Sequence, residues 1–339
     1  MNFVSGLSLP SQTQRDTQPL ELVEEILKNL ISLNNEAPLS ELLQDSFIST
    51  SKRMRAKLCI ETARCMNLRP KDVGYWGAAM EIIHNAFRVQ ESAHFDFLSR
   101  DNCTHDETKS YLEANIASSA FLALLPAAIL QAPLNDGLRT KLIGLVSEYL
   151  ARMAQGYSYF LSLPTPLSMA TLPDDFSKFV FRRSSLFYEL PVQGTALAAG
   201  LSLKESVRMA EPFRELGILQ FLIDDLLVIL ENSSRLNSDH SLSHFNFVML
   251  EYYQMLPHKF SEFKIKWQNL FANKEGAKEE LNSLLIESGV LAAYVQKIRM
   301  QHMNIEKNDL LKPWPKMLEM YRSFAQTMLR SADYFLKTY

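Results

Sequence analysis

Glycine is scarce in this sequence, with 11 residues in a chain of 339. So few glycines argue against a turn-rich β protein, because tight turns use glycine for backbone conformations that other residues avoid. The sequence contains neither the G-x-G-x-x-G pattern of dinucleotide-binding turns nor a phosphate-binding loop of the Walker type. These absences exclude the common glycine-dependent nucleotide sites.

Cysteine and an excess of charge of one sign are also lacking. The three cysteines are widely spaced and show no paired metal-ligand spacing, which indicates reduced thiols in the cytoplasm. The formal net charge is only −3. No basic stripe with interleaved aromatic residues is present, so nucleic acid is not an expected partner.

Long uninterrupted apolar runs are missing as well. The N-terminus lacks the charged start and apolar run of a secretory signal. The most apolar segment, residues 114–132, is interrupted by Asn115, Pro126 and several serines. This pattern predicts a buried helix rather than a transmembrane segment. We therefore expect a cytoplasmic protein.

What is present is helical periodicity, since apolar residues recur every three or four positions from about residue 20 onwards. Prolines and polar loops separate the periodic segments. The predicted helices cover residues 22–31, 53–66, 77–98, 108–131, 137–163, 176–199, 204–232, 243–256, 259–271, 276–304 and 314–337. The sequence thus predicts an all-α bundle of about ten helices, with a loose tail over residues 1–18 and one helical domain over residues 19–339.

Two adjacent aspartates, Asp224 and Asp225, interrupt an otherwise apolar helix. Burying a carboxylate is unfavourable unless a cation or hydrogen-bond donors meet it, and no lysine or arginine lies within two turns along this helix. A helix that carries carboxylates into a bundle suits Mg²⁺, which is held by one or two carboxylates together with substrate phosphate. The alternative is a structural pair that meets a distant arginine.

A second polar group follows one face of the predicted helix 77–98. Glu81, His84, Arg88, Glu91 and His94 lie three or four residues apart, so they share that face. Two of these steps have the Glu-x-x-His spacing of di-iron bundles, but both lie on one helix and no matching second helix is present. A mixed-charge face whose residues pair with each other is the alternative to a metal site.

Basic residues occur in two further places. Lys52, Arg53 and Arg55 precede the apolar stripe of their helix, where they are available to an anion. Arg182 and Arg183 interrupt an aromatic helical segment, and buried arginines require an anionic partner from the protein or from a ligand.

In order along the chain, these motifs resemble those of the trans-isoprenyl diphosphate synthases, the polyprenyl synthetase family of class I isoprenoid synthases. The similar segments are Ser51–Ala56 (family Gly-Lys-Arg-x-Arg-Pro), Glu81–His84 (Glu-Leu-Ile-His), Arg182–Phe187 (Lys-Thr-x-x-Leu-Phe) and Leu216–Val228 (Leu-Gly-x-x-Phe-Gln-x-x-Asp-Asp-x-x-Asp). The spacing between the motifs is kept throughout residues 50–230. The resemblance implies a single large helical bundle with a central cavity.

The resemblance also implies a reaction and a set of residue roles. Mg²⁺ ions held by aspartates bind an allylic diphosphate, which ionises, and isopentenyl diphosphate attacks the resulting cation. In this chain Asp224, Asp225 and Arg182 are the implied catalytic residues, and the two aspartates are the implied metal ligands. The implied substrate-binding residues are Lys52, Arg53, Arg55, His84 and Arg100.

The chain departs from the family pattern at several of its carboxylates. Where the family has its first Asp-Asp, this chain has Glu91-Ser92, and Phe95 replaces the third aspartate, with Asp96 one position later. In the second motif the third aspartate is Val228. Fewer carboxylates weaken the electrostatic stabilisation of a leaving diphosphate. Glu91, His94 and Asp96 form a hypothetical substitute for the first metal site.

Two functions from different classes follow from this comparison. The first is a divergent prenyltransferase that acts on a prenyl diphosphate with Mg²⁺, because Lys52, Arg55 and His84 suit a second diphosphate that a cyclase would not need. The second is a non-catalytic subunit that supports an active synthase, with class I terpene cyclases as a lesser alternative. In either case we expect a homodimer or a heterodimer with a related synthase.

Overall fold

The structure of the protein is a computed structural model. It describes residues 19–32, 37–46, 53–98, 105–162, 182, 185–230, 246–271 and 274–338. Within these ranges the regular structure is helical and contains no strand. The α-helices are α1 (Pro19–Ser32), α2 (Ala37–Ser46), α3 (Met54–Cys65), α4 (Gly74–Leu98), α5 (His105–Leu130), α6 (Asp136–Ser162), α7 (Leu186–Ala198), α8 (Leu203–Ala210), α9 (Arg214–Leu230), α10 (Phe247–Met255), α11 (Phe260–Phe271), α12 (Ala277–Glu287), α13 (Val290–Lys307), α14 (Pro315–Arg330) and α15 (Asp333–Thr338).

The predicted all-α bundle is therefore confirmed, but three predicted helices are each divided in two. The segment 204–232 breaks at Glu211–Phe213, because Pro212 lacks the N–H that a continuous helix needs. The segment 276–304 breaks at Gly289, whose φ of 74° is left-handed backbone that glycine adopts without strain. The segment 314–337 breaks between α14 and α15. The short helix α2 was not predicted at all.

Helix α7 lies at the centre of the described core, where it packs against α3, α4, α6 and α9. Its residues from Leu186 to Leu197 are all buried, which agrees with a segment that has no continuous polar face. The carbonyl oxygen of Pro191 accepts hydrogen bonds from the indole Nε1 of Trp76, at 3.1 Å, and from the hydroxyl of Thr195, at 2.9 Å. Trp76 belongs to α4, so this oxygen connects the two helices.

The apolar segment 114–132 lies on α5 and was predicted to be a buried helix. The structure confirms the helix, but only 39% of its most apolar window is buried. Within the described ranges, Lys109–Leu130 is the one helical stretch that is long and apolar enough to cross a membrane, a property that core helices of soluble proteins share.

Candidate functional site

The site begins at the N-terminus of α3, which the carboxylate of Glu81 on α4 caps. One oxygen of Glu81 accepts the backbone N–H groups of Arg55 and Ala56, each at 3.0 Å. A helix N-terminus has unpaired N–H groups and a partial positive charge, so a carboxylate there is favourable. The second residue of the predicted Glu-x-x-His pair, His84, lies one turn further along α4. Glu81 therefore holds α3 and α4 in register at the site.

Burial raises the pKa of the Glu81 carboxyl, although the charges of Arg55 and Arg53 and the two N–H groups oppose this effect. The folded protein thus holds the Glu81 proton more tightly than the unfolded chain, whose pKa is about 4.3. This contribution to stability is fully present below about pH 4.3 and is lost as the pH rises through the folded pKa.

We therefore expect the unfolding free energy of the native protein, relative to that of Glu81→Gln, to fall between pH 4 and pH 7. Urea denaturation of both proteins across this range measures the difference, since the amide has the same size but does not titrate. A difference that stays constant with pH would contradict the assignment.

Arg53 was predicted to bind substrate, and the structure engages it with protein carboxylates. Its guanidinium donates to both oxygens of Glu24, at 2.5 and 3.2 Å, and lies 4.0 Å from Glu81. Arg53 is only 5% exposed and has a left-handed φ of 49°, which is uncommon for a residue other than glycine. These contacts compete with any anionic ligand for this side chain.

Arg55 has different surroundings, because its guanidinium lies against two aromatic rings of α7. Its guanidinium carbon lies 5.6 Å from the ring centre of Phe187 and 5.5 Å from that of Tyr188. Both distances are typical of cation–π contacts. The Nε atom of Arg55 is buried and has no hydrogen-bond acceptor within the described part of the chain. A buried donor without an acceptor is unfavourable, so an anion at this position would stabilise it.

His84 contacts the ring of Phe187 as well, and the charge of Asp224 acts on Tyr188. The imidazole of His84 contacts the Phe187 ring edge-to-face, with 5.6 Å between ring centres. Burial raises the pKa of Tyr188 to about 12, with Arg55 lowering it and Asp224 and Glu81 raising it. Charges on α3, α4 and α9 therefore all act on the phenol of Tyr188 on α7.

Asp224 and Asp225 are adjacent in the sequence, but their side chains have different surroundings in the structure. Asp224 is partly exposed, and one of its oxygens accepts a hydrogen bond from the side-chain amide of Gln220 at 2.7 Å. Asp225 is 0% exposed, and its carboxylate accepts the backbone N–H of Phe247, the first residue of α10, at 2.6 Å. Asn246 caps α10 through Val248 and also donates to the backbone oxygen of Asp225 at 3.1 Å. Asp225 thus anchors α10 to α9.

The remaining predicted residues are less closely connected to this group. Arg182 donates to the side-chain oxygen of Gln155 on α6 at 2.6 Å. Glu91 is buried on α4, and Asp96 lies on the same helix, but the Asp96 side chain is outside the described part. Lys52 and Arg100 also lie outside the described residues.

A metal site with several protein ligands is not found among the described side chains. No group of three or more histidine, cysteine, aspartate or glutamate residues there converges in a way that could hold an ion. The side chain of His94, like that of Asp96, is outside the described set, so the hypothetical substitute site with Glu91 stays a prediction. Asp224 fits Mg²⁺ as a single carboxylate ligand, a number that is sufficient when substrate phosphate supplies further oxygens.

Two features of the site were missed in the sequence. Tyr188 was not singled out, because its position beside Phe187 reads only as part of an aromatic helix. The second feature, on the same helix α7, is an ion pair in which the partly exposed Arg214 donates to both oxygens of the buried Glu189, at 2.6 and 2.7 Å. The presence of a charged residue within the apolar segment Leu186–Ala198 is the signal that could have identified Glu189.

No protein-family model matches the chain, and no curated protein matches it. Solved structures do match. A geranylgeranyl pyrophosphate synthase superposes with a TM-score of 0.74 at 16% identity, covering 92% of this chain and 98% of the synthase. A decaprenyl diphosphate synthase from Rhodobacter capsulatus gives 0.72 at 14% identity, with 94% and 97% covered.

A third solved structure that matches is a complex with ligands. The polyprenyl synthase from Caulobacter crescentus, complexed with calcium and isoprenyl diphosphate, gives a TM-score of 0.70 at 16% identity, covering 91% of this chain and 94% of that protein. At these identities the similarity establishes the fold, which is that of the trans-prenyl diphosphate synthases.

Proposed function

We propose that the chain is a divergent member of the trans-prenyl diphosphate synthase family and that it binds a prenyl diphosphate and transfers its prenyl group. The observation that carries this proposal is the position of Arg55 beside the rings of Phe187 and Tyr188, with an Nε donor that has no acceptor and with His84 against the same Phe187 ring. A half-buried arginine with a buried, unmet Nε donor suits a diphosphate, and the partly exposed carboxylate of Asp224 is the candidate ligand for the metal ion that a diphosphate also needs.

The neighbouring structures support this choice of ligand. The synthase from Caulobacter crescentus is complexed with isoprenyl diphosphate and calcium, a divalent cation that takes oxygen ligands as Mg²⁺ does. Its fold covers nearly the whole of this chain. We infer that the same class of ligand reaches the group around Tyr188.

The residues of this chain have distinct roles in the proposed reaction. Arg55 binds the diphosphate, and the rings of Phe187 and Tyr188 hold its guanidinium in place by cation–π contact. Asp224 is the residue that would hold Mg²⁺, which supplies positive charge to stabilise the departing diphosphate. The carbon–oxygen bond breaks with its electron pair on the diphosphate, a nucleophilic carbon of isopentenyl diphosphate bonds to the cation, and a proton is then lost. In this proposal His84 contacts the second diphosphate.

The proposal is tested by incubating the purified protein with Mg²⁺, isopentenyl diphosphate and labelled allylic diphosphates, and by measuring diphosphate release and labelled product. We expect Arg55→Gln to weaken binding of the diphosphate substrate by about 10- to 100-fold, as expected for a lost hydrogen bond to a charged group. The matched control is Arg64→Gln on the same helix, since Arg64 is exposed and pairs with its neighbour Glu61. Equal losses in both variants would contradict the proposal.

A non-catalytic subunit is the second candidate, and two observations favour it. Arg53 and Asp225, which carry charge in two of the motifs, make well-defined contacts within the protein. If these contacts persist with substrate, the chain keeps the fold with fewer ligands for metal and diphosphate. The test is to add the protein to an active prenyl diphosphate synthase. Stimulation of that enzyme, without any diphosphate release by the protein alone, would favour this candidate over the first.

A further inference from the structure

A groove of 850 Å³ opens at the surface between α1, α3 and α14, and α3 packs against both of the other helices. Its large apolar side chains are the buried Ile60 and Met320 and the partly exposed Leu20, Met54 and Phe324. None of the described residues proposed above to bind diphosphate lines it. Apolar surface that stays accessible in a groove of this size marks a binding surface, so this α1–α3–α14 groove is a candidate docking site.

The charged side chains that line the groove carry both signs. They are Lys57, Glu61 and Arg64 on α3 and Lys316 and Glu319 on α14. Arg64 forms an ion pair with Glu61, so part of this charge is neutralised within α3. The carboxylates repel an anion and the basic groups repel a cation. This mixture therefore favours an uncharged, apolar occupant over a free ion.

The chain itself has a segment of this kind directly before the groove. Pro19 lines the groove at the start of α1, and residues 1–18 precede it. These residues lie outside the described part of the chain, so the predicted loose tail stays a prediction. Residues 1–10 contain no charged side chain, whereas residues 11–18 are all polar. The tail is thus an uncharged segment that a polar linker joins to the edge of the groove.

The uncharged segment matches the groove in pattern and in length. Side chains of an extended segment alternate between two faces, so Phe3, Leu7 and Leu9 share one face when this segment is extended. From Phe3 to Leu9 the segment is then ~20 Å long at ~3.3 Å per residue. The groove is ~17 Å long from Met54 to Cys65 along α3, at ~1.5 Å per residue. The linker spans up to ~28 Å, which is enough for the segment to turn back over the groove.

We propose that residues 3–9 pack into the α1–α3–α14 groove of their own chain, with Phe3, Leu7 and Leu9 against its apolar side chains. Docking removes from water the apolar groups that α1, α3 and α14 leave partly exposed, which favours it. A segment tethered to the edge of the groove by a short linker has an effective concentration on the order of millimolar. A second copy or another protein at a lower concentration competes poorly with it. The inference does not depend on whether the chain catalyses a reaction.

The thiol of Cys65 provides the test, because it lines the groove and is partly exposed. In the full-length chain with Cys103→Ser, its rate of reaction with a maleimide reports whether the groove is covered. Cys59 is 0% exposed, so it reacts only when the protein unfolds and serves as an internal check of folding. We expect the double substitution of Leu7→Ser with Leu9→Ser to raise the Cys65 rate about 10-fold, because a covered thiol reacts only while the segment is undocked.

The matched control replaces two linker residues with the same spacing, Gln12→Ser together with Gln14→Ser. The Cys65 rate in this variant should stay within about twofold of that in the Cys103→Ser protein, because the linker is not part of the docked segment. A leucine variant that reacts no faster than the Cys103→Ser protein would show that the segment does not cover the groove. An equal rise in both double variants would overturn the proposal as well, since it would not depend on the apolar side chains.

Cross-linking identifies the copy of the chain that supplies the segment. Ser8→Cys, added to the Cys103→Ser protein, places a second thiol within the segment, and a short bismaleimide can join it to Cys65. We expect the product to keep the mass of one chain under denaturing conditions, and Cys65→Ser to abolish it. A product of twice that mass would mean that another copy's segment occupies the groove. No product at all would mean that the segment does not reach Cys65, and either result overturns the proposal.

Discussion

Asp224→Asn is expected to lower diphosphate release on the order of 100-fold, because it removes the carboxylate proposed to bind the metal ion that stabilises the departing diphosphate. The amide has nearly the same shape, and its oxygen still accepts the hydrogen bond that Gln220 donates at 2.7 Å. The unfolding free energy should therefore stay within about 0.5 kcal/mol of the native value. Steady-state kinetics and urea denaturation measure the two effects on the same preparation.

Asp225→Ala provides the matched comparison, because the neighbouring aspartate differs in surroundings and not in chemistry. Removing its buried carboxylate leaves the N–H of Phe247 without its 2.6 Å acceptor, which should cost about 2–3 kcal/mol of stability. Below the temperature at which it unfolds, this variant should keep much of its activity. The reverse pattern, an active Asp224→Asn and a stable but inactive Asp225→Ala, would show that Asp225 and not Asp224 binds the metal.

Much of the fold could be predicted from the sequence. Helical periodicity is a local signal, so it can be recognised in one segment without knowing which helices pack against it. The segments that form α3, α4, α5 and α6 begin and end within a few residues of the predicted bounds. The divided helices show where local reasoning failed. Pro212 and Gly289 lie inside periodic segments, and each ends a helix there although the apolar periodicity continues past it.

The site was less predictable than the fold. The partner of each charged side chain there depends on contacts between segments that are distant in the sequence. Arg53 and Arg55 are two residues apart and equivalent in sequence, but one meets Glu24 and the other meets the rings of α7. Asp224 and Asp225 have different partners for the same reason, because only Asp225 contacts the start of α10. A residue's partners on other helices decide its role, and no spacing along one helix contains that information.

Gly194→Ala should strongly destabilise the protein, because among the described glycines only Gly194 has heavy atoms within 3.0 Å of an added Cβ. A Cβ atom at this position would lie 2.0 and 2.2 Å from two carbons of the Trp76 ring, far inside contact distance. Trp76 is buried and hydrogen-bonded to Pro191, so its ring cannot move without losing that bond. Overpacking together with the strained hydrogen bond should reduce the unfolding free energy by about 3–4 kcal/mol.

The control for this prediction is Gly144→Ala, which makes the same change in an exposed helix. Nothing lies within 4 Å of the added Cβ there, so the variant should gain about 0.5–1 kcal/mol from the higher helix propensity of alanine. Trp76→Phe supplies the second test, because the smaller ring removes the carbons that the Cβ atom would meet. In that background Gly194→Ala should cost much less, as a double-mutant cycle in chemical denaturation measures. An equal cost in both backgrounds would mean that a neighbour other than Trp76 excludes a side chain at position 194.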